Sequence, residues 1–152
     1  MPSVQVGETF PDFTLPNQDG ALISKGDLAG ERAVIYFYPK DDTSGCTAQA
    51  CGFQEKLPEI HGVRLVGVSP DSVKSHRKFA DKYGLTFTLL ADTQQQLSQA
   101  VGVWVEKSMY GKKYMGIERT TFVLDENGVI THVFEKVKPQ GHADEIQSVL
   151  GK

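Results

Sequence analysis

The chain has 152 residues, 39% of them hydrophobic and 23% charged, with a formal net charge of −3; that suits one domain, residues 1–152, with a core of its own. The first 76 residues carry 6 Lys+Arg against 10 Asp+Glu and the remainder 10 against 9, so no basic face points to nucleic acid or to an anionic membrane surface. No apolar run approaches the roughly 20 residues of a membrane span, and "MPSVQVGETFPDF" lacks a basic start followed by an apolar stretch; neither a membrane nor a signal peptide is expected, and a cytoplasmic location is.

In chain order, "FTLPNQDGALIS" predicts a short hairpin turning at Asn17 to Gly20. "AVIYFY" (33–38) and "RLVGVS" (64–69) have the length and unbroken apolar character of strands buried on both faces. Between them Ala50, Phe53 and Leu57 recur at helical spacing, which predicts a helix from about Cys46 to Leu57 stopped by Pro58. "SPDSVKSHRKFADKYG" predicts a second helix, with Asp71 or Ser72 as its N-terminal cap, Val73, Phe79, Ala80 and Tyr83 as its apolar stripe and Gly84 as its C-terminal cap. On that helix His76 is read as a surface or partly packed residue.

"FTLL" (87–90) suits a short strand, and "TQQQLSQAVG" a short helix with Leu97 and Val101 inward. The stretch from Lys107 to Tyr114, lysines interleaved with tyrosines, reads as a solvated loop or hairpin rather than an anion site, and Trp104 as core or rim packing. "TTFVLDENGVITHVF" is a hairpin with its turn at Asp125 to Gly128, and "HADEIQSVL" a closing helix on Ile146, Val149 and Leu150. A β-hairpin, then βαβα, a short helix and ββα argue for an α/β fold: a central mixed sheet flanked by helices, with an N-terminal hairpin. That order is compatible with a thioredoxin-like fold without singling it out.

Both cysteines lie in "YPKDDTSGCTAQAC", five residues apart. Cys46 follows a strand and a polar turn and opens a helix, where unpaired N–H groups and the positive dipole end favour a thiolate. Thiols so placed have pKa values lowered to about 3.5–7.5 from about 8.5. In a regular helix Cys46 and Cys51 would stand roughly 8–9 Å apart on faces about 140° different, whereas a disulfide needs Cα atoms within about 7 Å. A bond between them therefore requires the start of the helix to unwind, which Gly45 and Gly52 make easier. Such a bond suits a cycle in which one thiol reacts and the other resolves its product. A thiolate that meets peroxide becomes a sulfenic acid, which condenses with a second thiol. Two unreactive helix cysteines, or a metal site, remain open on spacing alone; His61, His76, His132 and His142 are scattered and make no zinc cluster.

"YFYPKDDTSGCTAQAC" resembles the active-site segment of the peroxiredoxins, most closely the bacterioferritin comigratory protein or peroxiredoxin Q subgroup, whose pattern of Pro, Thr or Ser, and Cys falls on Pro39, Thr43 and Cys46, with the second cysteine at Cys51. "GETFPDFTLPNQDG", "GVSPDS", "GIERTTFVLDENGVI" and "VKPQGHADEI" are similar to the same subgroup, so the resemblance spans essentially the whole chain. It implies a thioredoxin-like fold and a thiol peroxidase. Cys46 would be the peroxidatic nucleophile and Cys51 the resolving thiol. Thr43 would hydrogen-bond the thiolate and the incoming oxygen, Arg119 would stabilise the charge passing from sulfur to the leaving oxygen, and Pro39 would shield the sulfur from water.

Without the resemblance, Arg119 would read as a strand-end arginine, Thr43 as a cap and Pro39 as the end of a strand. Several relatives carry an acid three residues after the peroxidatic cysteine, where this chain has Gln49. The resemblance further implies hydrogen peroxide and organic hydroperoxides as substrates, thioredoxin (or glutaredoxin or glutathione) as reductant, no metal, haem or flavin, and a monomer. Two other classes use different patterns: a general thiol–disulfide oxidoreductase separates its cysteines by two residues, and a copper-binding thioredoxin-like module needs a soft two-thiolate site, usually with a histidine.

Overall fold

The structure is a computed structural model and describes residues 3–56, 62–139 and 141–150. In chain order the elements are β1 (Thr14–Pro16), β2 (Leu22–Ser24), a 3-10 turn (Lys25–Leu28), β3 (Arg32–Phe37), α1 (Ser44–Lys56), β4 (Val63–Ser69), α2 (Val73–Tyr83), β5 (Thr88–Ala91), α3 (Gln96–Val101), β6 (Trp104–Met109), β7 (Lys112–Ile117), β8 (Thr120–Leu124), β9 (Ile130–Phe134) and α4 (His142–Leu150). The main sheet has the order β5-β4-β3-β8-β9. β3, β4 and β5 run parallel, and β8 and β9 join antiparallel. This is the mixed sheet expected from the sequence.

β3 lies at the centre, and its side chains alternate between two cores, as the two-residue period of a strand requires. Ile35 and Phe37 point into one core with Phe10, Val68 and Phe122. Val34 and Tyr36 point into the other with Phe53, Phe79 and Ile146, the buried residues of α1, α2 and α4. Both faces are covered, which is why this strand is continuously apolar. The N-terminal hairpin turns where expected: the Asn17 side chain accepts from the N–H groups of Asp19 and Ala21.

Ser72 caps α2 by accepting from the Ser75 N–H at 3.1 Å, and Gly84 ends it in the left-handed conformation with φ 65°. α1 begins two residues earlier than the apolar spacing predicted, and the expected stop at Pro58 lies outside the described residues. The predicted order lacked the β6–β7 hairpin; the Lys107–Tyr114 stretch forms its end.

Candidate active site

The parallel and antiparallel halves of the sheet meet at β3, and the site lies beyond its C-terminal end, the usual place for a site in an α/β sheet. After Phe37 the chain passes through Tyr38–Thr43 into α1. The Thr43 carbonyl accepts from the Thr47 N–H at 2.8 Å, which makes Thr43 the residue before the first turn. Cys46 is the third residue of α1 and only 2% exposed. The sulfur sits in the turn whose N–H groups lack helical partners, and no acidic residue in that turn opposes a thiolate.

Arg119 comes from 73 residues away. β8 runs antiparallel to β3 with Thr120 opposite Phe37, so the residue before β8 arrives where β3 ends. Arg119 Nη2 donates to Cys46 Sγ at 3.3 Å, and Nη1 donates to Gln49 Oε1 at 2.5 Å. Its carbonyl accepts from the Val137 N–H at 2.9 Å, which ties the backbone behind it. Gly45 permits the approach: a Cβ there would lie 3.2 Å from Pro139 Cγ and 3.4 Å from Arg119 Nη2. A Cβ at residue 45 would press on Pro139 and touch the guanidinium.

Cys46 and Arg119 are thus in contact, while Thr43 is exposed just before α1 and Pro39 half-buried just after β3. The Thr43 hydroxyl donates to the Lys40 carbonyl at 3.0 Å rather than to the sulfur. This departs from the expected contact and follows from the tight turn that brings Lys40 over the helix start. Cys51 is half-buried five residues along the same unbroken helix, and both thiols are free. Burial pushes the Cys51 thiol up, and the charge of Glu55 adds to this, so the second sulfur is held as a thiol.

Gln49 acts as a glutamine there was expected to act, and two further contributions, from Lys107 and His76, were not anticipated. Gln49, where an acid was the alternative, is 1% exposed and fixes Arg119 through its carbonyl oxygen without neutralising it. Lys107, taken for a solvated residue, is partly buried; burial lowers its pKa, and the nearby Arg119 charge adds to that while Cys46 opposes it. His76, expected to be a surface or partly packed residue, is fully buried at 0% exposed and bonded to Asp41, which belongs to the loop that leads into α1. One potential metal-ligating cluster among the described residues, Asp41, Asp71 and His76, contains neither cysteine. Hydrogen bonds already engage Asp41 Oδ2, Asp71 Oδ2 and both ring nitrogens of His76.

A buried sulfur at a helix N-terminus, with a guanidinium in contact and a second thiol within reach of local unwinding, can act as a nucleophile whose oxidised product is trapped as a disulfide. The AhpC/TSA family model matches residues 6–133. The chain belongs to the AhpC/TSA family, within its Bcp and peroxiredoxin Q group. It is 50% identical over 146 residues to the peroxiredoxin bcp of Coxiella burnetii, covering 95% of this chain and 97% of that protein. It is 43% identical over 152 residues to peroxiredoxin Bcp of Escherichia coli K12, covering 99% and 97%. The bacterioferritin comigratory protein of Xanthomonas campestris, whose structure addresses its alkyl peroxide reduction activity, matches with a TM-score of 0.88 and 40% identity over 99% of this chain and 97% of that one. This peroxiredoxin is accordingly a thiol peroxidase of thioredoxin-like fold, acting on peroxides and recycled by a thioredoxin-type reductant.

Proposed function

We propose that Cys46 is the peroxidatic thiolate and Cys51 the resolving thiol of a single-domain, cytoplasmic, monomeric peroxiredoxin. The observation that carries this reading is the Arg119 guanidinium 3.3 Å from a sulfur buried in the first turn of α1. The Cys46 thiolate attacks one oxygen of the peroxide. The S–O bond forms as the O–O bond breaks, and the leaving oxygen departs as hydroxide or alkoxide and takes up a proton to become water or alcohol. Negative charge passes from sulfur to the leaving oxygen during this step, and Arg119 lies where it can follow that charge. Thr43, just before α1, offers its hydroxyl oxygen to the peroxide proton. Pro39, just after β3, shields the sulfur from water, and Gln49 keeps the guanidinium in place.

The Cys46 sulfenic acid then condenses with Cys51, with loss of water. In an unbroken helix five residues rise about 7.5 Å, too far for a disulfide, so the first turns of α1 unwind before the bond forms. A dithiol reductant, thioredoxin in our reading rather than glutaredoxin or glutathione, attacks the disulfide and restores both thiols. The substrates are hydrogen peroxide and small organic hydroperoxides, and the alkyl peroxide activity of the Xanthomonas campestris relative supports the second class.

Mass spectrometry after one equivalent of hydrogen peroxide tests the assignment. The wild type is expected to lose two hydrogens within one chain, and Cys51→Ser to gain one oxygen on Cys46. Unchanged masses in both proteins would refute it.

A further inference from the structure

Asp41 is a buried carboxylate in the loop between β3 and α1, five residues before Cys46. Its Oδ1 accepts from the Tyr38 hydroxyl at 2.6 Å, and its Oδ2 accepts from Ser75 Oγ at 2.8 Å and lies 2.7 Å from His76 Nδ1. Its own N–H donates to Asp71 Oδ2 at 2.7 Å. His76 is 0% exposed, and its other ring nitrogen, Nε2, is 2.8 Å from the Leu90 carbonyl in β5. A carbonyl only accepts, so Nε2 carries a hydrogen, and a second proton lies between Nδ1 and the carboxylate. One imidazole therefore bridges the second strand from the centre to the entry of the reactive helix. A buried polar group with every site engaged is costly to disrupt and fixes one geometry.

The next residue strengthens the tie. Asp42 has φ 58°, in the left-handed region that side chains other than glycine seldom adopt. It is held there by Tyr83 Oη at 2.6 Å and Lys82 Nζ at 2.9 Å, both from α2. Thr43, which starts α1, follows directly. The direction of the first turn of α1 is thus set by two loop residues fastened to α2, a helix that has no cysteine and no part in the disulfide.

We propose that Asp41 and His76 form a positioning pair that holds the entry to α1 in the peroxide-reactive arrangement and so sets the balance between attack on peroxide and disulfide formation. The inference rests on the assignment of Cys46 as attacking and Cys51 as resolving thiol. Attack needs the first turn intact beside Arg119, and resolution needs that turn undone. Weakening the pair therefore moves the two steps in opposite directions, which a general loss of stability does not do.

The experiment compares His76→Asn with His76→Gln. Asparagine places an N–H donor near the position of Nδ1 and keeps the bond to Asp41, whereas glutamine reaches toward Leu90 and abandons Asp41. Three quantities are read: the rate constant for hydrogen peroxide attack in the Cys51→Ser background, the rate constant for disulfide formation in the two-cysteine protein, and amide hydrogen exchange of residues 43–47 in the reduced protein. The expected result for His76→Gln is attack slowed about tenfold, as a small misplacement of reacting groups produces, disulfide formation accelerated several-fold, and faster exchange at residues 43–47. His76→Asn is expected to stay within about threefold of the parent on all three, by the same geometric argument. Tyr38→Phe, which removes one donor from Asp41 and leaves the ring, should show the same opposed changes at smaller size if the histidine variants fold poorly.

The proposal is overturned if attack and resolution fall together, if both stay at parental rates in His76→Gln and in Tyr38→Phe, or if His76→Gln behaves as well as His76→Asn. If the Cys51→Ser parent itself does not react with peroxide, the assignment of the thiols fails. The exchange of residues 43–47 then still decides whether the pair holds the loop.

Discussion

α1 and α2 both pack on the same core beside β3, yet they are built differently. α2 is closed at both ends, by Ser72 and by Gly84. It carries an i,i+4 ion pair between Arg77 and Asp81, with Asp19 adding a second carboxylate at 2.6 Å, and it holds the loop before α1 through Ser75, His76, Lys82 and Tyr83. α1 has Gly45 in its first turn and Gly52 in its interior, and a buried face of Cys46, Gln49, Ala50 and Phe53 in which one member is polar and one is the proposed reacting group. Glycine in a helix interior costs about 1 kcal/mol against alanine. Phe53 keeps the last turn of α1 in the core, against His142 of α4. The helix that must open is weak at the end that opens, and the helix that must not move is fastened to the hinge between them.

The largest effect expected from breaking this division is on the chemical side. Arg119→Met removes both guanidinium bonds, and the attack rate constant measured by stopped flow should fall about 100- to 1,000-fold, the range for losing a donor aimed at developing charge. Chemical denaturation of the reduced protein should change far less, because Arg119 anchors the sulfur and Gln49 rather than either core. A large loss of stability together with a small loss of rate would reverse the assignment.

Glycine replacements sharpen the comparison at smaller size. A Cβ on Gly52 would meet Ala143 Cβ at 3.5 Å, an ordinary contact, so Gly52→Ala stiffens α1 without displacing anything. With about 1 kcal/mol added to the intact helix, disulfide formation should slow about fivefold while attack on peroxide is unchanged. In α2 the matching change is Gly84→Ala, which forces a side chain onto a residue at φ 65°. That costs about 1–2 kcal/mol of global stability, read by denaturant unfolding, and should leave the resolution rate alone. If Gly84→Ala altered resolution as strongly as Gly52→Ala, global stability rather than the stiffness of α1 would set the resolution rate.

These differences explain what could be seen in the sequence. Continuous apolar runs at 33–38 and 64–69, the capped stripe of α2 and the Asp125–Gly128 turn are strong local signals, and each became the expected element. The thiols were visible because their spacing is itself a chemical statement. Arg119 could not be placed by spacing, since its approach depends on antiparallel pairing of strands far apart in sequence, and only the resemblance pointed to it.

His76 was misread for a related reason. Among Lys74, Arg77 and Lys78 a histidine looks like part of a polar face, and the groups that bury it, Asp41 and the Leu90 carbonyl, arrive from other elements. The start of α1 was placed two residues late because the residues missed, Ser44 and Gly45, are not buried and carry no apolar signal. β6 and β7 escaped the predicted order because much of their length is exposed, so no buried face marks them as strands.

The smallest effect concerns the far side of α1. His142 opens α4 and is buried against the rings of Phe53 and Phe134, with Nε2 2.8 Å from Thr121 Oγ1 and Nδ1 2.8 Å from Glu145 Oε1. Nδ1 donates to the carboxylate, so Nε2 accepts from the threonine hydroxyl. Burial lowers its pKa, Glu145 opposes part of that, and the Arg119 charge adds to the lowering. The unfolded chain therefore binds the proton more readily than the folded one. The stability linked to His142 is fully present above its ordinary pKa of about 6.5 and is lost as pH falls through the lower folded value.

The unfolding free energy of the reduced protein should drop as pH falls below about 7, by no more than about 1.4 kcal/mol per pH unit from this group. His142→Gln should flatten that part of the slope. Protonation also forces Nε2–H toward the Thr121 hydroxyl, which must turn away, so the acid-linked loss falls on the contact between α4 and Phe53. The end of α1 that stays folded during resolution is then the end that acid loosens. A slope unchanged by His142→Gln would place the acid sensitivity elsewhere.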